Sequence, residues 1–288
     1  MKIKKIFLFI CLLFLSGCNI KNNFIENNLL YTTFYPIEFA SESLYSEYAT
    51  IDSVYPNGAS KGYEVTEKKI KKYSNSEILV YSGLANEATI AKDILNLNKN
   101  IKIIDATKGM NINNSLDEIW LDPSNYLMLC SNIKRSLMEY NSENYEIKKT
   151  IEENYSILNE KISELDVALY NLGKNGNYNT ILVTNNVFKY LTKYNINVIS
   201  IDEKEETLDK NYTEAKKLIK DKKIEFVYVL DNEELNETQE KFISDNSLVK
   251  ININDLFTLS DEEEDKEENY ISLMKNIIEE YKRELYKN

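Results

Sequence analysis

The feature that most constrains the fold is an amphipathic stretch at residues 143–170. Its apolar side chains recur at steps of three, four and seven residues, with charged residues between them: Ile147, Ile151, Leu158, Ile162, Leu165 and Leu169. This spacing places them on one face of a single α-helix about 42 Å long. The helix is predicted to stop within the glycine-containing segment at 172–176. A coiled coil is the alternative, but the stretch is too short for a sustained heptad repeat.

Strand-like segments alternate with helix-like segments on both sides of this stretch. The predicted strands are 29–34, 49–55, 78–81 and 101–105 before it, and 180–184, 197–201, 225–230 and 248–253 after it. Such alternation is typical of parallel βα units. We therefore predict an α/β fold with two lobes of parallel βα units joined by one long rigid linker helix. The predicted boundaries are 29–142 for the N-terminal lobe, 143–173 for the linker helix and 174–288 for the C-terminal lobe. A ligand site is expected in the cleft between the lobes.

The N-terminus has the order of an export signal. Three lysines precede an apolar run at residues 6–15, and Ser16-Gly17-Cys18 follows. The run is about half of the roughly 20 residues that a membrane-spanning helix needs. Leu15 to Cys18 resembles a bacterial lipobox, in which the cysteine carries the lipid. We predict a signal peptide at 1–17, lipid attachment at Cys18 and a polar tether at 18–28, and hence an extracytoplasmic protein lipid-anchored to the bacterial cell membrane.

Charge and composition narrow the function. The formal net charge is −12 and the sequence contains no histidine. Such an acidic chain is a poor partner for nucleic acid and is compatible with cations. Without a histidine base, a G-x-S-x-G elbow or a phosphate-binding loop, we predict no enzymatic activity. Cys130 is the one cysteine left beside the signal and the lipid site, so it is predicted to be a buried apolar residue in a monomeric protein.

Five motifs occur in a fixed order around the long helix. They are Y-T-T-F-Y-P at 31–36, N-G-A-S-K-G-Y-E-V-T at 57–66, L-D-E-I-W-L-D-P at 116–123, T-N-N-V-F-K-Y-L at 184–191 and Y-I-S-L-M-K-N at 270–276. Together they resemble the metal-binding (zinc/manganese) solute-binding lipoproteins of bacterial ABC importers. The resemblance implies a divalent metal ion, Mn or Zn, as cargo in the cleft and an ABC permease in the membrane as partner.

The chain departs from this family at the metal site. Family members usually carry three histidines, and here Lys61 and Gly62 stand in a shortened turn, Glu118 at the second position and Asn185 at the third. The resemblance implies that two acidic ligands are retained. Their positions are Glu205, with Glu206 as an alternative register, and Asp255. The implied metal ligands are Glu118, Asn185, Glu205 and Asp255, in a divergent member of the family.

This ligand set consists of carboxylate and amide oxygens, which favours Mn²⁺, Ca²⁺ or Mg²⁺ over zinc. We expect the carboxyl groups of Glu118, Glu205 and Asp255 to lie within about 8 Å of one another, and the neighbouring Asp117 to be exposed. Alternatively, Glu118 belongs to a surface loop that ends at the next helix. If the ammonium of Lys61 reaches the cleft, it pairs with one carboxylate and takes the cation's place. A small polar organic ligand, or an adhesin-like or regulatory role, therefore stays open.

Overall fold

Residues 28–85 and 87–287 are described by the computed structural model, and they form two lobes. The strands are β1 (Leu29–Thr32), β2 (Thr50–Ser53), β3 (Ile78–Tyr81), β4 (Lys102–Asp105), β5 (Thr180–Val183), β6 (Asn197–Ser200), β7 (Phe226–Leu230) and β8 (Val249–Ile253). They make two four-stranded sheets with the orders β2-β1-β3-β4 and β6-β5-β7-β8. Every strand pair is parallel. The predicted α/β fold class is confirmed.

Helices connect the strands and cover the sheets. They are α1 (Tyr35–Tyr45), α2 (Glu67–Tyr73), α3 (Glu87–Leu97), α4 (Glu118–Leu121), α5 (Pro123–Tyr140), α6 (Tyr145–Asn175), a 3₁₀ helix (Asn186–Tyr194), α7 (Leu208–Lys220), α8 (Glu237–Asp245), α9 (Asp261–Asp265) and α10 (Tyr270–Leu285). Several begin at polar caps. The side chains of Thr66, Asn144 and Asn236 each accept a hydrogen bond from a backbone N–H of the first turn.

The long helix α6 joins the two lobes. It spans 31 residues, and its buried side chains form the predicted stripe from Ile151 to Leu169, extended by Leu172, while Ile147 is partly buried. The helix passes through Gly173 and ends at Asn175, with Gly176 as its C-cap. A Cβ atom on Gly173 would lie 1.8 Å from the carbonyl oxygen of Tyr194. Gly173 therefore allows the 3₁₀ helix of the C-terminal lobe to pack directly against α6.

Trp120, the only tryptophan of the chain, fastens the lobes together near the cleft. Its side chain is buried, and its indole Nε1 donates a hydrogen bond of 2.7 Å to the carbonyl oxygen of Asp255. The hydroxyl of Tyr270 donates to the carbonyl oxygen of Trp120 at 2.6 Å. The ring of Tyr126 packs on Tyr270 with 3.9 Å between centroids. These contacts join α4 and α5 of the first lobe to the second lobe.

Cys130 is a free and fully buried residue of α5, as predicted. Burial raises the pKa of its thiol well above the usual value, so it behaves as a small apolar side chain. Within the described ranges, none of the helices has the length and apolar character that crossing a membrane requires. The predicted signal peptide, Cys18 and nearly all of the tether fall on residues 1–27, outside the described residues.

Candidate functional site

The cleft lies where the carboxyl ends of both parallel sheets meet. In each sheet the strand order reverses between its two middle strands, and ligands of parallel sheets bind beside such a reversal. The loops after β2 and β4 bring Lys61 and Asp117 to this place, and the segments after β5 and β8 bring Asn185 and Asp255. Together with other residues they line a cavity of about 640 Å³, called the central cavity below.

The ammonium of Lys61 lies between carboxylates of the two lobes. Its Nζ is 2.6 Å from Oδ2 of Asp117 and 3.2 Å from Oδ2 of Asp255. The acidic side chains are only 5% and 12% exposed, whereas that of Lys61 is 47% exposed. Burial alone would lower the pKa of Lys61, but the attraction of both carboxylates outweighs it and the pKa is raised. Lys61 thus pairs with two carboxylates, one more than the sequence suggested.

Asp117 is a cleft residue, which corrects the expectation that it is exposed. The whole residue is 3% exposed. It directly precedes the single-turn helix α4, and Lys61 and the Ser115 hydroxyl both donate to its Oδ2. Burial raises the pKa of Asp117 above its ordinary value, and the neighbouring Lys61 offsets only part of this rise. A buried carboxylate with a raised pKa, next to a counter-charge in a cleft, is typical of a functional site.

Glu118 is held by its own loop. Its Oε2 accepts hydrogen bonds from the backbone N–H and the side-chain amide of Asn114, at 3.2 and 2.9 Å. Its Oε1 accepts a longer bond of 3.4 Å from Asn113. Glu118 is buried, but it is not among the residues that line the central cavity. Glu118 is therefore neither an exposed loop residue nor part of a carboxylate cluster in the central cavity.

Glu205 and Asn185 also have protein partners. Glu205 pairs with the ammonium of Lys189 from the 3₁₀ helix, and it lines a separate cavity of about 460 Å³ that also contains Glu206. Asn185 lines both cavities. Its Oδ1 caps the 3₁₀ helix by accepting from Val187 N at 2.9 Å, and its Nδ2 donates to Glu233 at 3.2 Å.

Three of the four predicted ligands, Asn185, Glu205 and Asp255, therefore line two cavities, and Glu118 lines neither of them. Within residues 28–85 and 87–287, the structure contains no group of three or more His, Cys, Asp or Glu side chains arranged to hold a metal ion. The expected cluster of Glu118, Glu205 and Asp255 is not formed there, because each carboxylate has its own donors. The assignment of these residues as metal ligands stays a prediction.

Sequence reasoning did not single out Asp117, Asp231 or Glu233 as cleft residues, although all three line the central cavity. Glu233 accepts from the Thr184 hydroxyl at 2.7 Å and from Leu230 N at 3.1 Å. Burial and the neighbouring carboxylate of Asp255 raise the pKa of Asp231. Asp231 and Glu233 directly follow a strongly apolar strand, and that position at a sheet's carboxyl end is the signal that could have found them.

Comparison with known proteins identifies the family. Residues 30–284 match the profile of ZnuA, described as zinc-uptake complex component A, periplasmic. The chain belongs to the ZnuA family. This confirms the resemblance to metal-binding solute-binding lipoproteins, in a family member whose sequence contains no histidine.

Individual relatives agree with this membership. The chain is 24% identical to the zinc-binding lipoprotein AdcA of Streptococcus pneumoniae strain R6 over 98% of its own length, and it spans 60% of the length of that relative. The Zn(II)-bound ZnuA-like domain of Streptococcus pneumoniae AdcA has a similar fold, with a TM-score of 0.71 at 23% identity over 91% of this chain and 100% of that one. The metal-dependent lipoprotein YcdH of Bacillus subtilis gives a TM-score of 0.72 at 21% identity, over 90% of this chain and 99% of that one.

Proposed function

We propose that this ZnuA-family protein is the extracytoplasmic solute-binding lipoprotein of an ABC importer. It captures a divalent metal ion in the cleft between its lobes and delivers it to a membrane permease. Family membership supports the transport role. The observation that carries the cation proposal is that Asp117 of one lobe and Asp255 of the other already face a single cationic group.

The charge around the central cavity supports a cation as cargo. Five carboxylates line it: Asp117, Asp231, Glu233, Asp255 and Glu263. Among the described residues that line the cavity, Lys61 is the one cationic side chain. Buried carboxylates close to one another repel, and a divalent cation relieves that repulsion. The excess of negative charge would also attract cations into the cleft.

The ligands proposed for the present arrangement are Asp117, Asn185 and Asp255, which line one cavity. Glu118 and Glu205, which the sequence also predicts as ligands, could bind the ion only after leaving their present partners, Asn114 and Lys189. All of these donors are oxygen atoms, and oxygen ligands suit Mn²⁺ better than Zn²⁺. The two AdcA relatives are described as zinc-binding and as Zn(II)-bound, so both metals belong in the test.

Calorimetric titration of the purified full-length protein with MnCl₂, ZnCl₂ and CaCl₂ tests the proposal. We expect saturable binding of one ion of at least one metal, and a loss of affinity of about tenfold or more in Asp255→Asn, because one charged ligand is removed. Asp245→Asn, at the exposed C-terminal end of α8, removes the same charge outside the cavity; it is the matched control and keeps the wild-type affinity. A folded protein that binds none of the three ions would disprove a divalent metal as cargo.

A small organic amine is the second candidate, and one observation favours it. The group now held by Asp117 and Asp255 is a primary ammonium, and Tyr55 and Tyr63 contribute aromatic rings to the adjoining cavity. Aromatic rings and carboxylates together are suited to organic cations. Titration with spermidine separates the candidates: binding of spermidine without binding of any divalent metal would favour the amine.

A further inference from the structure

We propose that Lys61 is a tethered counter-cation that the captured ion must displace, so that Lys61 sets the affinity of the cleft for its cargo. This inference rests on the proposed function. Beside the residues that bind the cargo, it identifies one residue that lowers the affinity for the cargo.

The position of the ammonium excludes a second cation. The Nζ atom of Lys61 lies 2.6 and 3.2 Å from one oxygen each of Asp117 and Asp255. A metal ion bound by the same two oxygens would lie about 2.0–2.6 Å from each of them. The two positions overlap, and two positive charges at such a separation repel strongly. Metal binding at these oxygens and the Lys61 ion pairs are therefore mutually exclusive.

A displaced Lys61 ammonium can move into a second cavity. Lys61 also lines a second cavity of about 1400 Å³, formed by the N-terminal lobe together with Phe257 and here called the lobe cavity. Five acidic side chains line that cavity, against two further lysines, Lys68 and Lys71, so a displaced ammonium stays in an acidic environment. The side chain is half-exposed, and the segment before α2 that carries it has no helix or strand. A rotation of the flexible lysine stem is enough to move the charge from one cavity to the other.

The exchange also explains how the two carboxylates are neutralised in the cargo-free protein. In the free state the ammonium offsets the repulsion between two nearly buried carboxylates, which would otherwise weaken the contact between the lobes. In the bound state a divalent ion takes over that role. The apparent affinity falls in proportion to the fraction of molecules in which the lysine has left the site. If that fraction is about 1–10%, removing the lysine raises the affinity about 10- to 100-fold.

The variant Lys61→Gln tests this directly, with Lys161→Gln as the matched control. Lys161 is an exposed lysine of α6 that lines neither cavity, so its loss changes the net charge equally without touching Asp117 or Asp255. We expect MnCl₂ titration to give about 10- to 100-fold tighter binding for Lys61→Gln than for wild type, and no change for Lys161→Gln. Equal or weaker binding by folded Lys61→Gln overturns the inference and leaves the proposed function intact. Absence of binding in wild type and variant alike, with ZnCl₂ and CaCl₂ as well, overturns both.

A second measurement needs no variant. A lysine amine reacts with an acylating reagent such as sulfo-N-hydroxysuccinimide acetate only when it is deprotonated and accessible. The two ion pairs hold the Lys61 ammonium between Asp117 and Asp255 and so suppress its reaction. Saturating MnCl₂ is expected to increase acetylation of Lys61 several-fold in the wild-type protein, measured by peptide mass spectrometry, while acetylation of Lys161 stays constant. An unchanged or decreased Lys61 signal under saturating metal contradicts displacement even if Lys61→Gln fails to fold.

Discussion

Two of the groups of contacts that connect the lobes at the cleft differ in their chemistry. Around Trp120 the contacts are neutral and buried: an indole N–H and a tyrosine hydroxyl each donate to a backbone carbonyl. Around Lys61 they are ionic, and the lysine is half-exposed. Asp255 belongs to both groups, because its carbonyl oxygen accepts from Trp120 and its carboxylate pairs with Lys61.

This difference indicates that one group of contacts holds the lobes together and that the other is available for binding a ligand. Neutral hydrogen bonds inside a packed core persist whatever occupies the cleft, since no solvent or solute replaces them. An ion pair with an exposed member contributes little net stability and exchanges readily with other cations. The Trp120 contacts therefore maintain the architecture, while the Lys61 contacts are replaceable. Four predictions test that division.

The largest effect is expected from Trp120→Ala. The variant removes a buried indole that packs on Phe34, with 5.1 Å between ring centroids, and leaves the carbonyl of Asp255 without its donor. We expect a loss of about 3–5 kcal/mol in the free energy of unfolding, measured by urea denaturation. Trp120→Phe keeps most of the volume and loses the N–H, so a smaller loss of about 1–3 kcal/mol is expected. A loss below about 1 kcal/mol for Trp120→Ala would show that the indole does not hold the lobes together.

The second prediction compares two adjacent acids. Asp117→Asn removes a charge that faces the central cavity, and we expect cation affinity to fall about tenfold or more, by titration calorimetry. Glu118→Gln changes a carboxylate that its own loop holds with bonds from Asn113 and Asn114. Its affinity is expected to stay within about twofold of wild type, because small charge changes outside a site have small effects. The reverse order of effects would mean that Glu118 leaves its loop and binds the ion.

Asp117 and Glu118 also show how much of the structure can be predicted from the sequence. The alternation of strands and helices predicted both sheets, and the 78–81 strand agrees residue for residue with β3. Such patterns succeed because burial imposes a regular period over many residues. Which of Asp117 and Glu118 faces the cleft depends instead on the orientation of α4, a helix of four residues. One turn is too short for a period to specify its orientation.

The ion pairs of Lys61 and Lys189 could not be predicted from the sequence, for a different reason. Lys61 meets Asp255 across 194 positions of the chain, and Lys189 meets Glu205 on the other side of strand β6. The sequence indicated one carboxylate partner for Lys61, yet the partner is decided by how the two lobes pack. The family resemblance implied ligand positions in the cleft between the lobes. It did not supply the partners of those residues, such as the asparagine that holds Glu118.

The third prediction concerns Glu38, an acid without a lysine partner among the described residues. Burial first, and then the neighbouring Glu42, raises the pKa of Glu38 on α1 to about 8. The folded form then holds this proton more tightly than the unfolded chain, so Glu38 lowers stability as pH rises from about 4.5 to 8. Glu38→Gln removes that penalty. Relative to wild type, we expect it to gain about 1 kcal/mol between pH 5 and pH 8, in urea denaturation at both values. Glu160→Gln, an exposed acid of α6, is the control; an equal gain there would point to net charge instead.

The smallest effect is expected from cargo itself on the shape of the molecule. The buried stripe of α6 packs against both lobes, and contacts beside it fix their relative position: Lys193 donates to Ser124 at 2.8 Å and pairs with Asp122, and the Tyr194 hydroxyl donates to Asp166 at 2.5 Å. None of these groups lines the central cavity. Displacing the Lys61 ammonium therefore leaves the lobes held by α6 and Trp120. We expect small-angle scattering curves with and without saturating MnCl₂ to superimpose. A marked decrease in the radius of gyration on metal addition would mean that the lobes close as rigid bodies, and that the Lys61 contacts govern the architecture as well as the site.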